Sequence, residues 1–262
     1  MFSWISSIAI FFSALCGEIF GNIFGGGSFF IQPVLLLAGV TPHIAIANDV
    51  ASAGISAITF VWLTRKQGYV NWDVFRWMAP GALIGAIFGV NLMKEIPASI
   101  LQWLLVIICI TGTGFLIRRL FVSSSNIAAL EGKSDTFAYC KNWQLVSVLS
   151  AICLGVYDGI SGAGSGGLLI IVLALIFNAR FKVAATTAAA VGSVSLLSAG
   201  ATSMYQGLLD IHVMMLLVPA GILASFISKW IVAKLSDRTL LMIFIGVVSI
   251  TLCALIRDML LA

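Results

Sequence analysis

Charge is scarce in this chain: Asp, Glu, Lys and Arg make up only 9% of its 262 residues, and there are only two histidines. With 61% apolar residues, too little polar surface remains to coat a soluble core, so a soluble globular domain is excluded. Basic residues are missing from the N-terminal stretch, where the first is Arg65. The apolar run Ile8–Leu15 therefore lacks the positive leader of a secretory signal, and it is expected to be retained. No Cys-x-x-Cys pair occurs; Cys16, Cys109, Cys140, Cys153 and Cys253 are scattered, mostly in apolar segments, and read as small buried residues. Segments of about ten residues with alternating polarity are absent too, which excludes a transmembrane β-barrel. The net charge of +4 forms no cluster of the kind that binds nucleic acid.

What the chain does have is long apolar runs. Ile44–Leu63, Val74–Met93, Val183–Tyr205 and Val213–Val232 carry few charges or none. Each approaches the ~20 residues that cross a ~30 Å hydrocarbon layer as helix. The fold class is an all-α integral membrane protein.

The chain also repeats itself. Gln67-Gly68 recurs as Gln206-Gly207, a displacement of 139 positions (206 minus 67), and Pro80 recurs as Pro219. Gly81, Gly85 and Gly89 recur as Ala220, Ala224 and Ser228. The repeat is read as extending over residues 17–117 and 155–256. Each copy divides into five apolar segments: 3–24, 28–40, 44–63, 74–93 and 99–117, then 143–161, 166–178, 183–204, 213–233 and 239–256. The domain reading is a first membrane repeat over 1–121, a linker over 122–142 and a second membrane repeat over 143–262. The linker holds the longest polar stretch.

Charge bias gives the orientation. In the first copy, Arg65, Lys66, Arg76, Arg118 and Arg119 lie on one side of the segments, with only Lys94 opposite. In the second copy, Arg257 alone occupies the equivalent side, while Arg180, Lys182, Lys229, Lys234 and Arg238 lie opposite. Basic loops stay in the cytoplasm. The repeats are therefore predicted to have inverted topology, with the linker inside and both termini extracytoplasmic, in the cell (inner) membrane. Trp4, Trp62, Trp72, Trp77, Trp103, Trp143 and Trp230 lie near segment ends, where amphipathic rings favour the headgroup region.

The second segment of each copy is short and follows a glycine run: Gly25-Gly26-Gly27-Ser28 in one, Gly162-Ala163-Gly164-Ser165-Gly166-Gly167 in the other. Glycine costs a helix about 1 kcal/mol per residue relative to alanine. Non-helical backbone at membrane depth survives only against protein or a wet cavity. Two glycine-broken helices are expected, whose free N–H groups offer partial positive charge to an anion. Paired breaks of this kind mark the substrate site of inverted-repeat transporters. The candidate substrate-binding residues are Asn22, Gly25, Gly26, Gly27, Ser28, Asn48, Ser161, Gly164, Ser165, Gly166, Gly167 and Thr187. Asn48 and Thr187 are included because the repeat displacement relates them, so both could donate to one ligand. Gly81-xxx-Gly85-xxx-Gly89 reads instead as close helix packing.

The glycine runs, the stretch Gly39-Val40-Thr41-Pro42-His43-Ile44-Ala45-Ile46-Ala47 and the stretch Gly155-Val156-Tyr157-Asp158-Gly159 resemble the TauE/SafE sulfite exporter family of small permeases. The resemblance covers nearly the whole chain and both copies. It implies outward transport of sulfite, sulfoacetate or a related sulfonate. Two stretches depart from the family pattern: Ala47-Asn48-Asp49, where a Thr-Ser type sequence is common, and Gly162-Ala163-Gly164-Ser165-Gly166, where a Gly-Pro-Gly-Thr-Gly form is common.

Acids are expensive inside apolar segments, at about 3 kcal/mol or more when charged. Glu18, Asp49 and Asp158 are therefore candidates for carrying a coupling proton, with Asp49 the leading one, or else hydrogen-bonded acids that brace the breaks. The partners expected are a small anionic substrate, protons and membrane lipid; no cofactor is implied. Two other readings compete. A cation or metal permease would use Glu18, Asp49 and Asp158 as ligands. An intramembrane serine protease would use Ser161 of Gly159-Ile160-Ser161-Gly162 with His212. The Gly-x-Gly-x-x-Gly match in 162–167 follows a membrane segment rather than a strand, so it is not a dinucleotide fingerprint. Neither His43 nor His212 has neighbours at metal-ligand spacing.

Overall fold

The computed structural model describes residues 4–97, 143–176 and 181–234, and these are helical with no strand among them. The fifth segments, 99–117 and 239–256, lie outside the described residues, as do the linker and the charges at Arg118, Arg119, Lys133, Lys141, Arg180, Arg238 and Arg257. The helices are α1 (Trp4–Phe24), α2 (Ser28–Leu37), α3 (Pro42–Thr64), α4 (Trp72–Glu95), α5 (Trp143–Ile160), α6 (Ser165–Ile176), α7 (Phe181–Tyr205) and α8 (Ile211–Lys234). Six of them, all except α2 and α6, are long and apolar enough to cross a membrane.

The repeat is visible in these bounds. The displacement that relates Gln67 to Gln206 also carries both ends of α4 onto those of α8, and the starts of α1 and α3 onto those of α5 and α7. The starts of α4 and α8 share a chemistry. Asn71 accepts from the N–H groups of Asp73 and Val74 at the head of α4, and Asp210 accepts from His212 N–H at the head of α8. Such caps satisfy amides that the first helical turn leaves open.

The two copies do not pack as separate halves. Helix α4 packs along α5, and α8 packs along α1. Two four-helix groups result: α1, α2, α3 and α8 in one, α5, α6, α7 and α4 in the other. Each group takes its fourth helix from the other copy. The groups meet chiefly where α3 crosses α7. The glycine stripe of α4 explains one close approach. A methyl group on Gly85 would lie 2.3 Å from the Ile152 carbonyl oxygen, and one on Gly89 would lie 2.2 Å from that of Val156. Only glycine allows backbone contact at this range, so the packing reading of the stripe holds.

The rim of the molecule is apolar. Ile84, Phe88, Leu223, Phe226 and Trp230 are exposed, as a lipid-facing surface requires. Trp4, Trp62, Trp72 and Trp230 are exposed near helix ends, with Arg65 over the Trp62 ring at 5.0 Å and Lys234 over the Trp230 ring at 4.2 Å. One expectation fails. Cys16 and Cys153 are exposed rather than buried. In a membrane protein the outer face is itself apolar, so an apolar side chain gains little by turning inward.

Candidate functional site

Helix α2 has ten residues, or about 15 Å of rise, half of what a crossing needs. It folds back against α1: Ile31 and Leu35 share a core with Ile10 and Ala14. The chain reverses at Gly25–Gly27, where Gly25 adopts φ +76°, a left-handed conformation that disfavours any side chain. Gly164, its counterpart in the second copy, adopts φ +82° in the second break.

The two breaks touch. Gly167 N–H donates to Gly25 O at 3.1 Å, and a methyl group on Gly25 would lie 2.2 Å from the Gly166 carbonyl carbon. Around this contact lies a cavity with about 70 Å³ of room for water centres. That is room for several waters, the scale of one small oxyanion. Glu18, Asn22, Gly25, Gly27 and Ser28 line it from one group of helices, and Asp158, Gly162, Ser165, Gly166 and Ser195 from the other. The N–H groups of Gly27, Ser28, Ser165 and Gly166 find no backbone acceptor among the described residues. They lie at the starts of α2 and α6, where the helix dipole favours negative charge.

Polar side chains brace this arrangement. Asn22 Nδ2 donates to Ser56 Oγ at 2.9 Å, and Ser225 Oγ donates to Ser56 O at 2.8 Å, tying α1, α3 and α8 together. Gln32 is a residue that sequence reasoning missed. Its amide donates to Asp49 Oδ2 at 2.8 Å and to Ser161 O at 2.7 Å, clamping α2 to the acid of α3 and to the opposite break. The only signal was a buried amide in the otherwise apolar run Ser-Phe-Phe-Ile-Gln-Pro.

The expected site residues separate into three sets. Asn22, Gly25, Gly27, Ser28, Ser165 and Gly166 line the cavity, as do Glu18 and Asp158. Gly26, Ser161, Gly164 and Gly167 shape the breaks without lining it. Asn48 and Thr187 stand elsewhere. Asn48 Oδ1 accepts from Asp210 N–H at 3.0 Å, and Thr187 Oγ1 accepts from Asn71 N–H at 3.0 Å. Asn48 Nδ2 also donates to Leu208 O at 3.3 Å, while Thr186 Oγ1 donates to Tyr69 O at 2.8 Å. The partners Asp210 and Leu208 are themselves the repeat counterparts of Asn71 and Tyr69. The relation between Asn48 and Thr187 was legible, but it serves to fasten each copy's loop to the other copy rather than to meet at one ligand. Asp49, the leading proton candidate, is fully buried behind Gln32 and does not line the cavity.

The protease pair is not assembled. Ser161 is fully buried, whereas His212 sits at the exposed start of α8, in the opposite group of helices. Among the described residues, no three of His, Cys, Asp and Glu gather as a metal site would require.

Apolar spans and two broken helices with a cavity between them are the architecture of a multi-pass membrane transporter. Comparison with known proteins specifies which kind. The sulfite exporter TauE/SafE family model matches residues 9–255, and the chain belongs to that family. It is 22% identical to the probable membrane transporter protein YjnA of Bacillus subtilis, over 90% of this chain and 93% of that protein. It is 25% identical to the probable membrane transporter protein YfcA of Escherichia coli K12, over 68% of this chain and 62% of that protein. A probable membrane transporter protein, ORF9 of a Sinorhizobium species, is 24% identical over 68% of this chain and 64% of its own length. No solved structure matches.

Proposed function

We propose that this protein is a secondary transporter that exports a small sulfur-containing anion, sulfite, sulfoacetate or a related sulfonate, by alternating access. The observation that carries the reading is the pair of touching glycine breaks, whose cavity-lining residues include N–H groups with no backbone acceptor among the described residues. Gly27, Ser28, Ser165 and Gly166 hold the oxyanion through these amides, and Asn22 adds a side-chain donor. Asn48 and Thr187 act as fasteners. The repeats over 1–121 and 143–262 are inverted in a cell (inner) membrane, with the 122–142 linker in the cytoplasm and both termini outside. Because α4 and α8 are exchanged, the bodies that rock are the two mixed helix groups, hinging where α3 crosses α7, and not the two sequence copies.

A rival reading has one specific observation in its favour: two acids line the cavity, as a cation permease would need. Purified protein in vesicles separates the two. Anion transport predicts uptake of radiolabelled sulfite or sulfonate and thermal stabilisation by those anions. A current that follows a cation and ignores both anions would overturn it.

A further inference from the structure

Two carboxyls stand in the cavity, each with one oxygen that has no hydrogen-bond partner among the described residues. Glu18 is 3% exposed and Asp158 is 4% exposed. Glu18 Oε1 and Asp158 Oδ1 find no hydrogen-bond partner among the described residues. Lys, Arg and His are absent from the described residues that line the cavity. The groups facing Glu18 are the Asp49 carboxyl and the Ser56 hydroxyl from α3, with Gly221 approaching from α8. Those facing Asp158 are the hydroxyls of Ser165 from α6 and Ser195 from α7. Helix α4 contributes Ala82 to the lining, and neither α2 nor α4 contributes a titratable group to it. Among the described residues, no fixed cation therefore offsets the two acids.

An anion entering this space with both acids ionised would bring a third negative charge into a site shielded from water. The amides of the breaks supply only partial positive charge. Proton uptake removes the conflict. Each carboxylate takes one proton from hydronium and releases water, and no other bond changes. The new O–H groups then become donors toward the anion instead of repelling it. The charge that the two cavity acids and a monovalent anion carry together falls in magnitude from three to one.

We propose that Glu18 and Asp158 are the proton-binding groups of the site, and that anion binding draws two protons into the cavity. The acids lie one in each helix group, so the proton sites are divided between the two bodies that move. Asp49 also leaves one oxygen without a partner, but it sits off the cavity with Gln32 on the other oxygen, and it is a positioning residue. This inference rests on the anion reading.

The test uses full-length protein in detergent or vesicles, with methanesulfonate as the probe because its charge does not change across the working range. Adding the probe in weakly buffered solution should draw protons from the medium, read by an indicator dye. Where both acids are ionised, its Kd should weaken by a factor approaching about 100 per pH unit, the linkage slope for two protons. Glu18→Gln and Asp158→Asn should each reduce that slope to about tenfold per unit. The wild-type proton count needs no variant, so a variant that fails to fold does not blunt the test. Anion binding with no proton uptake and a flat pH profile would overturn the inference and leave the anion reading standing. Failure to bind methanesulfonate, thiosulfate or sulfite at any pH, with proton release on adding a cation, would overturn both.

Discussion

Replacing Gly25 with alanine tests whether contact between the two breaks holds the site together. The residue adopts φ +76°, which costs a non-glycine side chain about 1–2 kcal/mol. The added methyl group would also start 2.2 Å from the Gly166 carbonyl carbon, against the 3.4 Å at which ordinary contact begins. The breaks must then part by about 1.2 Å (3.4 minus 2.2). That stretches the 3.1 Å bond from Gly167 N–H to Gly25 O beyond hydrogen-bonding range. A buried amide left without its acceptor costs about 1–3 kcal/mol. The expected loss is therefore about 2–5 kcal/mol, together with loss of transport. Gly207→Ala is the matched control: φ is +72° there, and nothing lies within 4 Å of the added methyl group. It should cost only the conformational term of about 1–2 kcal/mol and leave transport intact. Unfolding in detergent and sulfite uptake into vesicles measure both variants. If Gly25→Ala is no worse than Gly207→Ala in stability, and still transports, the breaks do not depend on mutual contact.

Other substitutions probe the remaining parts. Gly85→Ala should drive α4 from α5 and destabilise by about 1–3 kcal/mol, because its methyl group meets the Ile152 carbonyl oxygen at 2.3 Å; unfolding measurements check this. Asn48→Ala should leave Asp210 N–H without its acceptor and cost about 1–3 kcal/mol, while the Kd for sulfite stays as in wild type. Preserved stability with lost binding would return Asn48 to the anion site. Thr187→Val should behave the same way through Asn71 N–H. Asp49→Asn should keep the slope of the pH profile of anion binding, since this acid lies off the cavity, while moving its position through the charge that faces Glu18; a flattened profile would move the proton site to α3.

The legible and illegible parts of this protein differ in the range of the forces involved. Helix existence and length follow from local composition. An apolar run near twenty residues must become helix in lipid, because only a helix satisfies its own backbone there. The copies could be aligned from Gln67-Gly68 and Gln206-Gly207, and Asn71 and Asp210 cap the next helix in both. The glycine breaks were legible too, since such runs are poor helix formers. The purpose of Asn48 and Thr187 was not. Hydrogen-bond choice depends on which N–H a side chain faces, and those N–H groups belong to the other copy, 162 positions further on for Asn48. Gln32 escaped notice for the same reason: its partners lie 17 and 129 positions away.

Composition and periodicity alone determined that the chain lives in a membrane, that it is helical, and where glycine runs interrupt its helices; they also pointed to two copies of one plan. These properties depend on the energy of each segment in lipid, which neighbouring residues determine. Tertiary structure decided the rest: that α4 and α8 change groups, that the breaks touch, and that Glu18 and Asp158 rather than Asp49 share a cavity. Those outcomes depend on close backbone approach between distant segments, where a single methyl group changes which surfaces can meet.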